Sequence, residues 1–218
     1  MSSASSGFKE CEIMTGDRVA DPNRSYHRDD LRTQLVEAAA DYVEHHGHED
    51  LSVRKLAQVV GVSPGAPYHH FPDRRSLLIA VALTGYDRLL GTHRGETSAS
   101  PEDGLMDLSR HFIAFAEENP RIFSLMYESE LTRPFLEPAI AKAQSEGFAI
   151  LRAAVRSVGE QIPDEALGFR VAAYWSLLYG FTLLRSNRML QRDHEIGEPE
   201  GTEVVDAVLR QAIRLVKD

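Results

Sequence analysis

From about Asp29 onward, apolar positions recur along the chain with the period of a helix. Leu31, Leu35, Ala39, Tyr42 and Val43 fall on one face of a first helix, and Gly47 supplies a left-handed stop. Ser52 is placed to cap a second, short helix in which Val53, Leu56, Ala57 and Val60 share a face. Gly61 breaks that helix and Val62 follows as an apolar plug. Ser63 is expected to cap again, with Pro64 at the first position of a brief third helix, where its missing N–H costs nothing. Phe71-Pro72 ends this third helix. Asp73 then caps a longer one whose apolar face is Leu77, Leu78, Val81, Ala82, Gly85 and Leu89, running to about Gly91.

Residues 91–104 (GTHRGETSASPEDG) form a polar joint and the best domain boundary. Helical patterning resumes over 107–118, 121–131, 138–158, 165–190 and 201–217, with turns at Asn119-Pro120, Pro134 and Gly159. No stretch alternates like a strand and no repeat appears, so the fold class is all-α. Residues 1–24 lack periodicity and are rich in Ser, Gly and Asp. They read as a flexible tail, within which Met14 stands as an alternative start. The expected domains are therefore 1–24, 25–91 and 92–218.

Composition narrows the picture. With 218 residues the chain can bury a core without covalent staples, and its single cysteine, Cys11, excludes an internal disulfide framework. No segment reads as a continuous apolar run of about 18 residues or more, so neither a membrane partner nor a leader is expected, and a cytoplasmic location is the default. The net charge of −9 argues against a generally basic nucleic-acid coat. That charge is uneven: residues 95–218 carry 13 basic and 20 acidic side chains, while residues 52–75 hold Arg54, Lys55, Arg74 and Arg75 against Asp73 alone. A polyanion would be met there and repelled elsewhere. His45, His46 and His48 do not share a helical face with a ligand set, so no metal and no cofactor is expected.

Two short helices joined by Gly61-Val62-Ser63, between a preceding and a following helix, form a helix-turn-helix arrangement. The residues SVRKLAQVVGVSPGAPYHHFPDRRSLL (52–78) make the signal specific. Ser52, Leu56-Ala57, Gly61-Val62-Ser63, Gly65, Tyr68, His70-Phe71 and Leu77-Leu78 stand as in the DNA-binding domain of the tetracycline-repressor (TetR) family, which the chain resembles over about residues 28–90. The resemblance implies an N-terminal three-helix DNA-binding domain and a C-terminal helical domain for ligand binding and dimerisation. The expected DNA contacts are Ser52, Arg54, Ser63, Pro64, Gly65, Ala66, Pro67, Tyr68, His69, His70 and Arg74. Helix N-termini at Ser52 and Ser63 suit phosphate, and Gly65 and Ala66 keep the third helix slim enough to approach base edges. Arg54 is suited to a phosphate or a guanine, and Arg74 to a phosphate. Pro67 cannot donate the first intrahelical hydrogen bond, which predicts a tight or 3-10 first turn; its ring is expected to meet thymine methyl groups. Phe71, Val62 and Leu77 read as core, and Arg75 as solvent-exposed.

Beyond residue 104, HFIAFAEENPRIFSLMYESEL (111–131) and YWSLLYGFTLL (174–184) resemble the TetR C-terminal subgroup known for a Trp…His-Gly signature. Trp175 and Gly180 fit, but Tyr179 replaces the histidine. The implied partners are a palindromic double-stranded operator, a small, largely apolar effector and a second copy of the chain. Phe112, Phe115, Met126, Tyr127, Trp175 and Tyr179 are the expected effector contacts, with Phe123 and Phe148 also available. The dimer stripe is expected on Leu167, Val171 and Leu178 with Val205, Leu209, Ala212 and Val216. The leading expectation is a repressor released by its effector. The alternatives are a helical dimer without DNA affinity and a helical enzyme with a vestigial N-terminal domain. No nucleophile elbow, zinc-protease or nucleotide-binding motif supports the enzyme.

Overall fold

The computed structural model describes residues 22–91, 98–191 and 201–217, and all regular structure among them is helical. The expected tail lies outside the described residues as far as residue 21. Helix α1 (Pro22–His46) starts ahead of Asp29 and is closed by Gly47, whose φ is +86°. Next come α2 (Val53–Val60), a 3-10 turn (Pro67–His69) and α3 (Arg74–Gly91).

Helix α4 (Pro101–Glu118) begins inside the stretch expected to be a joint. The Ser100 hydroxyl oxygen accepts from the Asp103 amide at 3.1 Å, and the hydroxyl donates to the Asp103 carboxylate at 2.7 Å. With Pro101 in the first turn, this reciprocal cap nucleates the helix in polar sequence. Helix α5 (Pro120–Tyr127) stops short of Leu131, and a 3-10 turn (Glu130–Thr132) follows. Helices α6 (Pro138–Val158), α7 (Asp164–Ser186) and α8 (Thr202–Lys217) lie close to their expected ranges.

One apolar core runs through the molecule, and α3 is its spine. Helix α3 packs on α1, and around Gly85 and Tyr86 it meets α5 and α6. Gly85 permits the α3–α5 approach: a Cβ there would stand 2.5 Å from Met126 Sδ and 2.9 Å from an Ile122 methyl. Glu44 makes a second tie between the N-terminal helices and the rest. From α1 its carboxylate accepts from the Ile122 amide at 3.1 Å and the Arg121 amide at 3.4 Å, satisfying free N–H groups at the start of α5.

Helices α4, α7 and α8 pack together behind this spine. The stripe expected to form the dimer interface is spent here: Leu167, Val171, Leu178, Val205, Leu209, Ala212 and Val216 are all buried within one chain. The correction has a simple cause, since each helix has one strongly apolar face and its own subunit takes it first. The outward face of α7 is different. It carries Phe169, 81 % exposed, then exposed Ala172, Ala173 and Ser176, and Leu184 further along. By length and a mean hydropathy of 1.2, α7 is also apolar enough to cross a membrane, which apolar runs alone did not predict. Its inner face packs on the protein core, where the Tyr174 hydroxyl is 2.8 Å from the Ser109 hydroxyl.

Candidate nucleic-acid interface and effector cavity

Local sequence builds the N-terminal head. The Ser52 hydroxyl accepts from the Lys55 amide at 3.1 Å, so α2 begins where its cap dictates. Gly61, with φ +77°, lets its own amide and that of Val62 both reach the Ala57 carbonyl at 3.0 Å. The chain reverses there without an L-residue in a strained conformation. Val53, Leu56 and Ala57 face the core, while Ser52, Arg54 and Gln58 face outward.

The expected third helix opens with turns tighter than an α-helix and closes on an α-type bond from the Phe71 amide to the Pro67 carbonyl at 2.9 Å. The Ala66 amide donates to the Ser63 carbonyl at 3.0 Å, and a 3-10 turn then covers Pro67–His69. Thus the Ser63 backbone, and not its hydroxyl, makes the closing bond. Pro67 has no N–H to give the Ser63 carbonyl the first α-helical bond, so the first turn closes on three residues. Ser63, Pro64, Gly65, Tyr68 and His69 are exposed, and Ala66 and His70 partly so. Pro67 is buried, which corrects its expected contact with thymine: its ring seats the segment on the core. Phe71 is 2 % exposed, as expected of a core residue, and the Arg32 guanidinium lies 5.4 Å from its ring centre.

The predicted cationic cluster divides. Arg74, expected at a phosphate, turns back to the α1–α2 loop and donates to the carbonyls of His48 at 2.7 Å, Leu51 at 2.8 Å and Glu49 at 3.3 Å. Its five-donor fork braces the loop that carries the Ser52 cap. Arg75, expected in solvent, meets the Glu137 carboxylate and the Leu136 carbonyl, each at 3.4 Å. Asp73 caps α3 by accepting the Ser76 amide at 2.7 Å, and that bond lowers its carboxyl below the ordinary value. Lys55 lies 4.8 Å from the Tyr42 ring centre, and Arg54 is exposed. The outward positive charge of residues 52–75 therefore belongs chiefly to Arg54 and Lys55. Arg32, on α1, is a further exposed cation of the head, beside Phe71, and was not singled out from sequence.

A cavity of about 680 Å³ opens between α3, α4, α6 and α7, with Tyr127 contributed by α5. Of the expected contacts, Phe112, Tyr127, Trp175 and Tyr179 line it, and so does Phe148. Phe115 and Met126 are not among the lining residues. Both are buried, Met126 against Gly85, one helical neighbour away from positions that face the space. The aromatic wall is continuous: the Trp175 and Tyr179 rings stack at 5.6 Å, and Phe112 meets Trp175 edge-on at 5.2 Å.

Sequence reasoning missed Tyr86 and Gln144. The Tyr86 hydroxyl donates to the Met126 carbonyl at 3.0 Å and accepts from Gln144 Nε2 at 2.9 Å; burial pushes its phenol up to about 12. Helix α3 thus ends in the cavity wall, with Leu89 and Leu90 beside Tyr86. Its other end carries the arginine that braces the head.

A short helix-turn-helix head joined by α3 to a cavity-bearing helical body is the arrangement of a helix-turn-helix DNA-binding protein. The comparisons agree. Residues 35–81 match the model for bacterial regulatory proteins of the tetR family, and residues 105–212 match the tetracyclin repressor-like C-terminal domain. The chain belongs to the TetR family. Both family models describe regulators, not enzymes. The HTH-type transcriptional repressor AcnR of Corynebacterium diphtheriae is 32 % identical over 88 residues, 40 % of this chain and 43 % of that one. The match thus spans under half the length of that curated relative. A protein of unknown function from Rhodococcus sp. RHA1 superposes with a TM-score of 0.70 at 26 % identity, covering 84 % of this chain and 94 % of that one. A TetR/AcrR-family transcriptional regulator from Thermobifida fusca shares the fold at 22 % identity, with a TM-score of 0.58 and coverage of 86 % and 96 %.

Proposed function

We propose that the chain is a DNA-binding transcriptional regulator, acting as a repressor, which a small and largely apolar effector releases from a palindromic operator. The observation that carries this reading is the outward presentation of Ser63–Ala66, Tyr68 and His69 beside Arg54. A segment without a bulky side chain between Ser63 and Pro67 approaches base edges closely, while Arg54 and Lys55 meet the sugar-phosphate backbone. One head makes few cationic contacts, so two copies bind paired half-sites. The outward face of α7, with Phe169 and Leu184 around small residues, is the surface on which they pair.

Effector control follows from linkage. An effector that prefers the operator-incompetent arrangement lowers DNA affinity by its differential affinity for the two states. A hundredfold loss requires about 2.7 kcal/mol of coupling. Helix α3, anchored by Arg74 at the head and by Tyr86 in the cavity wall, carries it. A protein of this kind works in the cytoplasm, where its operator is.

The test is a salt titration of the intact protein against fragments from the region upstream of its own gene, with scrambled fragments as controls. Specific binding that weakens steeply with salt is expected. Absence of preference for any fragment, even at the lowest salt, overturns the reading. A helical dimer without DNA affinity would give that result.

A further inference from the structure

The cavity wall contains a deeply buried polar group that the protein leaves without a partner. Tyr127 retains accessible surface, and it lines the cavity. Burial raises its phenol well above the ordinary value, with Tyr86 and Tyr179 adding to the effect, so the hydroxyl is protonated throughout the neutral range. Two nearby phenols are provided for differently, while Tyr179 is only half-buried. Tyr86 is bonded to Met126 and Gln144, and Tyr174 pairs with Ser109 outside the cavity. Among the described residues the Tyr127 hydroxyl makes no hydrogen bond, and its ring packs against those of Phe112, Phe123, Tyr86, Trp175 and Tyr179. A hydroxyl buried without a protein partner favours a bound molecule that supplies one.

The second observation concerns charge. No Asp, Glu, Lys, Arg or His is among the residues lining the cavity. An ionised ligand would shed its hydration without gaining a counter-charge, a loss that apolar contact does not offset. The third is shape: the stacked Trp175 and Tyr179 rings and the edge of Phe112 offer π-faces to a flat molecule.

We infer that the cavity binds an uncharged aromatic molecule carrying a hydrogen-bonding group, and that Tyr127 is the residue that selects for this group. The inference rests on the reading of the cavity as the effector site and specifies the chemistry that site accepts. It also gives the amide of Gln144 a role. Because the Tyr86 proton is committed to the Met126 carbonyl, Gln144 must present Nε2 to Tyr86, which leaves Oε1 as an acceptor of fixed position.

Equilibrium dialysis of the full chain against naphthalene-2-carboxamide, naphthalene-2-carboxylate and naphthalene tests the inference without DNA, so its outcome is independent of operator recognition. The carboxamide is expected to bind at least tenfold more tightly than the carboxylate. Tyr127→Phe is expected to weaken the carboxamide about fivefold or more and to leave naphthalene unchanged. Tyr174→Phe, which removes a phenol outside the cavity, is the control and should leave all three affinities unchanged. Equal or tighter binding of the carboxylate, an unaltered carboxamide affinity in Tyr127→Phe, or failure of all three probes to bind the wild-type chain would overturn it.

Discussion

The head and the cavity are built on opposite principles. At the head, exposed candidate residues stand next to one another in sequence, and prolines, glycines and caps fix where the backbone turns. In the cavity, lining residues come from five helices, and each side chain's direction depends on packing between elements far apart in the chain. The head presents small or polar side chains on its outer surface; the cavity is walled by rings. A surface can therefore be specified locally, whereas an enclosed site is a property of the whole core.

The largest effect is expected where the two regions join. Gly85→Val puts a Cβ and two methyl groups into the space held by Met126 and Ile122, and should cost about 2–3 kcal/mol of stability in denaturant unfolding. An unchanged midpoint would show that the α3–α5 approach is not close-packed. Arg54→Ala isolates the head: operator affinity should fall about tenfold and the salt dependence should become shallower by about one unit, with unfolding unchanged. If affinity holds, Arg54 lies outside the interface. Glu44→Ala removes the cap that α1 provides to α5 and should cost about 1 kcal/mol of stability. Equal stability would mean that water replaces the carboxylate. Pro67→Ala gives the smallest effect. As a buried ring it should alter stability by about 1 kcal/mol or less and leave the profile of selected operator sites as it was. A changed profile would return Pro67 to the list of DNA contacts.

The same division decides what could be read from the sequence. Helix α6 and the ends of α2 and α3 follow from period, cap and breaker signals within a few residues. The Ser100-x-x-Asp103 cap was equally local and visible, but the polar composition around it suggested a joint. Arg74 and Arg75 were a different problem. Their partners lie 23 to 26 and 61 to 62 residues away, so a count of positive charges could not show that both were engaged elsewhere. In the cavity, aromatic content pointed to the right helices but not to their rotation. Phe112 and Tyr127 face the space, while Phe115 and Met126, one turn or one residue along, face the core. Tyr86 and Gln144 escaped notice because neither forms a motif; only the approach of α3 to α6 pairs them.

Trp175 has a practical consequence. It is the single indole of the chain, and it stands in the cavity wall. Ultraviolet emission from the unlabelled protein therefore originates, beyond the tyrosine contribution, at one known place. Any occupant that stacks on that ring or displaces solvent from it should shift or quench the signal. The molecule thus carries its own optical gauge of occupancy, ready for screening compounds before any operator has been identified.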